Sequence, residues 1–316
     1  MSADAAQITP ATTRIGWIGT GVMGRHMCAH LIAAGYTLTV FNRTPSKAHP
    51  LLSMGANLAA SPAALAAQSD VLFSIVSYPS DVRSVHLHPS TGTLSSLPPG
   101  ATLIDMSTSD PSLALEIASI ASTKQCFALD APVSGGETGA KAGALSIFAG
   151  GDAAAVKRVE PLLGLLGRVR YMGGAGKGQF GKLGNQITIG SAMVGLVEGI
   201  VYAHKAGLDL EEYLDAISSG AAGSRSLDLY GRKMVRREFE GGAFVDYFVK
   251  DFGICLRECE KMGIALPGLA LAQQFYLSLK AHGEGRLGTQ ALLLALERLN
   301  NIRVETLSSS SSSRLQ

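Results

Sequence analysis

The chain has 316 residues, 47% of them hydrophobic and 16% charged, with a formal net charge of +2 at pH 7. That length suits two domains and the apolar content supports a real core. A near-neutral balance of scattered charges excludes an electrostatic footprint for nucleic acid or a membrane surface, and the one short basic run, residues 232–237, reads as a solvated helix face.

The first thirteen residues carry no basic residue and no apolar core. They read as a disordered N-terminus, neither a secretory signal nor a transit peptide of the usual kind. The strand Ile15–Ile18 then enters Gly19-Thr20-Gly21-Val22-Met23-Gly24, a G-x-G-x-x-G turn, followed by a helix over 22–34, a stop at Gly35 and a strand over 37–41. Each glycine has a job in a dinucleotide site: a tight turn, room for a pyrophosphate, and close packing of helix on strand. The helix N-terminus offers unpaired N–H groups to the phosphates. After the second strand come Asn42-Arg43-Thr44. No carboxylate stands there for a ribose 2′-hydroxyl, and Arg43 can meet a 2′-phosphate with a fork of donors. The expectation is NADP(H) in preference to NAD(H), with a surface salt bridge as the plainer role for Arg43.

Residues 45–56 read as a short helix and loop, and 61–67 as a helix with Ser61 as N-cap and Pro62 in its first position. Residues 70–76 form a continuous apolar run, as in a buried parallel strand, with Ile75 and Val76 at its cofactor-facing carboxyl end. A helix starts within 81–86. Residues 101–105 form another strand, leading into Ser107 and Thr108, which can bond ribose or substrate oxygens. A helix over 113–122 has its N-cap near Ser109 or Asp110. Phe127–Asp130 is a strand that enters Ser134-Gly135-Gly136, whose bare backbone could hold a carboxylate. Strand Leu145–Gly150, a helix over 153–166 and a strand over 169–172 complete a mostly parallel, doubly wound α/β sheet of Rossmann type.

Residues 173–179 read as a glycine-rich hinge, with the domain change near Gly176 and an all-helical second domain over 177–304. Its first helix, over 181–206, is long and apolar almost all round through 187–201. That suggests burial between domains or subunits, with Gly195 and Gly199 letting a neighbour approach. The apolar stretch is short for a membrane span. Lys182, Asn185 and Gln186 share one face at its start. Further helices fall over 209–218, 226–236, 249–261, 267–281 and 288–299, and the Ser-rich tail over 305–316 reads as disordered. Cys28, Cys126, Cys255 and Cys259 form no C-x-x-C pair and read as reduced thiols. Neither they nor the seven histidines show metal-ligand spacing. The compartment expected is a reducing one holding a soluble protein, the cytoplasm first and the mitochondrial matrix as the alternative.

These motifs together resemble the β-hydroxyacid dehydrogenase family, which holds 3-hydroxyisobutyrate dehydrogenase and the tartronate and glyoxylate/succinic semialdehyde reductases. The resemblance runs from about Arg14 to Asn300. It rests on the glycine turn, IDMST at 104–108, DAPVSGG at 130–136, GKGQFGKLGNQ at 176–186, AAGS at 221–224 and FVKD at 248–251. It implies that Lys182 is the general acid/base and that Ser134, Gly135 and Gly136 hold the substrate carboxylate. Asn185 or Gln186 would orient the substrate, Thr108 and Lys250 would contact the cofactor, and Asp251 would support the site. It also implies a homodimer or homotetramer.

The chain departs from the pattern in three places. Many members have Asn-Asn where this chain has Asn185-Gln186, as tartronate semialdehyde reductases do. Asn42-Arg43-Thr44 is more similar to glyoxylate and succinic semialdehyde reductases. Ala243, beside Phe244, stands where an aromatic is common. The length disfavours a full 6-phosphogluconate dehydrogenase, and Lys182 argues against an imine reductase.

The implied reaction transfers a hydride between nicotinamide and a small 3-hydroxy acid or its semialdehyde. Cationic Lys182 would stabilise and protonate the carbonyl oxygen, and neutral Lys182 would take the proton back. The contrasting reading is a non-catalytic dinucleotide-binding module. Its signature would be loss of the lysine or of the Ser-Gly-Gly clamp, and both are present.

Overall fold

The computed structural model describes residues 7–305. The Ser-rich tail and the first six residues, expected to be disordered, lie outside the described residues. The rest of the N-terminal stretch departs from that expectation. The Thr13 N–H donates to the Thr9 carbonyl (3.0 Å), the Thr9 N–H donates to Thr13 Oγ1 (3.0 Å), and Thr13 is buried.

Among the described residues nine strands form one sheet: β1 (Ile15–Ile18), β2 (Leu38–Phe41), β3 (Asn57–Leu58), β4 (Val71–Ser74), β5 (Thr102–Asp105), β6 (Phe127–Asp130), β7 (Val133–Ser134), β8 (Leu145–Gly150) and β9 (Gly167–Gly173). The path runs β3-β2-β1-β4-β5-β6-β8-β7, with β9 also paired to β8. From β3 to β6 every pairing is parallel, β8 is antiparallel to β6 and β7, and β9 is parallel to β8. Strand order reverses between β1 and β4, which opens a crevice at their carboxyl ends.

The buried strands follow from their composition. All four residues of β1, β4 and β5 are buried, as strands covered on both faces require. Alternate side chains divide between two cores. Trp17, Phe73 and Ile104 join one, and Ile18, Leu72 and Leu103 the other. Trp17 stacks on Phe73 at 5.1 Å between ring centroids. The two-residue strands β3 and β7 fall where the sequence signals no strand, because two residues carry no period.

By internal packing the chain divides into two compact units between Leu183 and Gly184, inside the long helix and seven residues beyond Gly176. That helix spans Lys177–Lys205, so the last residues of the expected hinge are already helical. In the second unit the helices are Leu210–Ser218, Val245–Met262, Pro267–Ala281 and Leu292–Asn300. The helix expected over 226–236 is present over 225–235, with a π segment, Leu227–Gly231, inside it before the turn Arg232–Val235.

The core of the second unit is aromatic. Phe248, Phe252 and Tyr276 meet with centroids 5.2 to 5.7 Å apart, and the Tyr276 hydroxyl donates to the Thr289 carbonyl (2.9 Å). Close approach to the long helix occurs at Gly190, where a Cβ would lie 2.8 Å from the Phe252 ring, whereas Gly195 faces open space. At Gly199 a Cβ would meet the Tyr213 hydroxyl at 2.7 Å. Within the single chain the long helix buries one stripe. Met193, Val197, Ile200 and Ala203 are fully buried, while Thr188, Ser191, Gly195, Glu198 and Tyr202 are exposed. Its length and mean hydropathy of 1.4 alone would fit a membrane span, but one buried stripe packed on Phe252 and Ala272 is the arrangement of a core helix. The four cysteines are buried free thiols.

Candidate active site

The glycine turn is shaped by backbone. Gly19 has φ +95°, and a Cβ there would overlap the Ile75 carbonyl oxygen; a Cβ on Gly24 would overlap the Gly19 carbonyl oxygen. Around Gly21 nothing lies within 4 Å, leaving the space a pyrophosphate needs. The helix itself starts at Gly24, two residues later than the sequence suggests, so Val22 and Met23 belong to the turn. The loop is fastened on two sides. The Gly19 N–H donates to the Phe41 carbonyl (3.0 Å) and the Trp17 indole N–H donates to the Gly19 carbonyl (3.0 Å).

Asn42 belongs to this fastening. Its Oδ1 accepts from the Thr20 N–H (2.9 Å) and its Nδ2 donates to the Thr44 carbonyl (2.9 Å). Arg43 points outward, its side chain 87% exposed, and Nη1 pairs with Asp81 Oδ1 at 3.1 Å. The plainer role for Arg43 is therefore present in the structure, on a side chain whose exposure leaves it able to reorient.

At the carboxyl ends of β4 and β5 lies a buried polar chain that sequence reasoning missed. Ser74 Oγ donates to Asp105 Oδ1 (2.8 Å), so the contact at 2.9 Å between Ser74 Oγ and His86 Nε2 is donated by the imidazole, and the Thr93 hydroxyl donates to Nδ1 (2.8 Å). Burial pushes the His86 pKa down to about 3, so the ring is neutral. Ser107 Oγ donates to the same Asp105 oxygen (2.7 Å) and accepts from the Val76 N–H (2.8 Å). Ser107 is thus engaged inside the protein, whereas Thr108 is half-buried. The Ile75 N–H donates to the Ile18 carbonyl (2.9 Å). Of the segments expected to face the cofactor, Val76 is tied directly to this chain, and Thr108 follows its last member, Ser107, in sequence.

A second hub sits at the start of the long helix. Gln179, with no exposed surface, accepts from the Ser109 N–H through Oε1 (2.9 Å) and donates from Nε2 to the Ser107 carbonyl (2.8 Å). Both bonds flank Thr108. Asp130 Oδ1 accepts from the Gly176 N–H (2.8 Å) and Oδ2 from the Gln179 N–H (2.7 Å). Burial raises the Asp130 pKa to about 6 against those two bonds, and the Asp105 charge adds to the rise. Lys182 follows Gln179 by three residues and is 7% exposed.

Ser134 pairs with Ser146 across β7 and β8. Gly135 (φ +133°) and Gly136 (φ +61°) turn the chain into the helix Gly136–Ala142, so the expected loop is a strand end and a helix start. Glu137 in that helix accepts from Arg25 Nη2 (2.6 Å), tying it to the helix after the glycine turn.

In the second unit, Gln186 Nε2 donates to Asp251 Oδ2 (2.6 Å), Asn185 Nδ2 donates to Gln186 Oε1 (2.9 Å), and Lys250 Nζ pairs with Asp251 Oδ1 (2.9 Å). Asn185, Gln186, Lys250 and Asp251 therefore form one cluster. The Gln186 amide is engaged from both ends within it.

Two family models match the chain and meet near residue 175. Residues 14–174 match the model of the NAD binding domain of 6-phosphogluconate dehydrogenase, and residues 176–296 match the NAD-binding model of NADP-dependent 3-hydroxyisobutyrate dehydrogenase. An Arabidopsis thaliana protein named 3-hydroxyisobutyrate dehydrogenase-like 1, mitochondrial, is 68% identical over 95% of this chain and 90% of its own length. The 2-hydroxy-3-oxopropionate reductase of Escherichia coli is 36% identical over 91% of this chain and 98% of its own. The structure of 3-hydroxyisobutyrate dehydrogenase from Mycobacterium tuberculosis with L-serine superposes with a TM-score of 0.80 at 27% identity, covering 90% of this chain and 99% of that one.

Proposed function

The chain belongs to the β-hydroxyacid dehydrogenase family as an NAD(P)-binding oxidoreductase, and on that premise we propose that it reduces a small semialdehyde, or oxidises the matching 3-hydroxy acid, with NADP(H). What supports this reading is a buried lysine, Lys182, in the same compact unit as the glycine turn and the Ser-Gly-Gly segment. When bound, the nicotinamide supplies or accepts the hydride. Cationic Lys182 stabilises negative charge on the carbonyl oxygen and donates its proton there, and neutral Lys182 recovers it in oxidation. Ser134 Oγ and the N–H groups of Gly135 and Gly136 hold the substrate carboxylate, which supplies orientation. Asn185 orients the substrate and Gln186 holds Asn185. The glycine turn takes the pyrophosphate, with Thr20, Ile75, Val76, Thr108 and Lys250 contributing to the cofactor site.

NADP(H) is favoured over NAD(H) because residues 42–44 present no carboxylate and Arg43 is exposed on that segment. The description of the second matched model as NADP-dependent points the same way. The mitochondrial label of the Arabidopsis relative favours the matrix. The family resemblance favours a homodimer or homotetramer, which light scattering on the purified protein tests.

The deciding experiment is a kcat/KM panel with NADPH and NADH against glyoxylate and the succinic, tartronate and methylmalonate semialdehydes, with 3-hydroxyisobutyrate oxidation alongside. Arg43→Ala is expected to lower the preference for NADPH by about tenfold or more. No turnover across the panel overturns the enzyme reading, and an unchanged ratio overturns the role of Arg43.

A further inference from the structure

Gln179 and Asp130 belong to no substrate or cofactor role given above, yet each is buried with its polar atoms engaged across long stretches of chain. We propose that the Asp130–Gln179 pair is a positioning device that sets the register of the Lys182 helix turn against the Thr108 loop, an inference that rests on the catalytic reading of Lys182.

The geometry is specific. The Gln179 amide binds Ser109 N–H and Ser107 C=O, the two peptide groups on either side of Thr108. An amide accepts and donates side by side in a single plane, so it fits two peptide groups of opposite polarity. The Gln179 main chain is fixed in turn, because Asp130 accepts from its N–H and from that of Gly176. There is no slack behind the carboxylate: a Cβ on Gly150 would lie 2.7 Å from Asp130 Oδ1, and a Cβ on Gly178 would overlap the Asp130 carbonyl oxygen. Three residues after Gln179, on the same helix face, stands Lys182. Motion of the Thr108 loop and of the lysine-bearing turn is therefore coupled through one side chain.

The test compares Gln179→Met, which keeps the length and loses both hydrogen bonds, with Gln179→Glu, which keeps the acceptor for Ser109 N–H alone. For each, kcat and KM are measured, with the isotope effect on kcat from 4-deuterated NADPH. NADPH affinity is read from quenching of Trp17, the single tryptophan, whose indole N–H lies on the Gly19 carbonyl. Gln179→Met is expected to lower kcat about 10- to 100-fold, to raise the isotope effect, and to leave NADPH affinity close to wild type, with Gln179→Glu between it and wild type. A folded Gln179→Met with wild-type kcat and isotope effect overturns the proposal. So does loss of kcat that tracks loss of melting temperature equally in both variants, since that marks a role in stability alone.

Hydrogen exchange keeps the proposal testable apart from turnover. Peptides covering 105–110 and 176–183 should both exchange faster in either variant, and protection unchanged in both overturns the coupling. If both loosen while the wild type turns over no substrate, the coupling stands and the catalytic reading has failed.

Discussion

Under the carboxyl edge of the first unit's sheet, Thr93, His86, Ser74, Asp105 and Ser107 form an unbroken buried chain of donors and acceptors. The interior of the second unit is instead the ring cluster of Phe248, Phe252 and Tyr276, beside the short polar branch of Gln186, Asp251 and Lys250. The difference teaches what each interior is for. Directional bonds fix loops at defined positions, because each buried group must keep its partner or lose several kcal/mol of solvation. Ring packing fills volume and contributes stability with weaker demands on angle. A substitution in the first interior should change what the protein does, and one in the second should change how well it holds together.

Lys182→Met should break the comparison open most widely: kcat falls by about 10²–10⁴-fold while NADPH still quenches Trp17. Wild-type turnover in this variant removes the lysine from the mechanism. In the second unit, Phe252→Ala should lower stability by about 3–5 kcal/mol, read by urea denaturation. Gly190 lies against that ring with no side chain to fill the hole.

The finest test is acid stability. His86 has a pKa held below its unfolded value, so its contribution is present above about 6.5 and is lost as pH falls toward 3. Asp130 has a pKa raised above its unfolded value, so its contribution is fully present below about 4 and is lost as pH rises through about 6. The two oppose each other between about pH 4 and 6. Against wild type, His86→Gln should flatten the loss of melting temperature on acidification and Asp130→Asn should steepen it. The same slope in all three proteins would show that neither group is linked to folding.

Much of this was legible from sequence because its causes are local. The glycine turn, the buried runs of β1, β4 and β5, and the Ser61 cap, whose Oγ accepts from the Ala64 N–H at 3.1 Å, follow from neighbours a few residues apart. What escaped depends on distant partners. The long helix starts at Lys177 because Asp130, 46 and 49 residues away in sequence, accepts from the N–H groups of Gly176 and Gln179. Composition there reads only as glycine-rich. His86 looks like any helix histidine until the fold brings Ser74 and Thr93 to it. Within the chain the close approaches fall at Gly190 and Gly199, of which the sequence points to Gly199 alone, because helical period fixes a face and leaves open what covers it.

The walls of the glycine turn have a further consequence for change over time. Gly19 is hemmed by the carbonyl of Ile75, and Gly24 by the carbonyl of Gly19. Both obstacles are main chain, so no second substitution elsewhere can make room for a first. That motif is an evolutionary dead end to alteration, while Asn42, Arg43 and Thr44 lie at a rim with solvent in front of it. Attempts to retune the cofactor in a library should be confined to that rim.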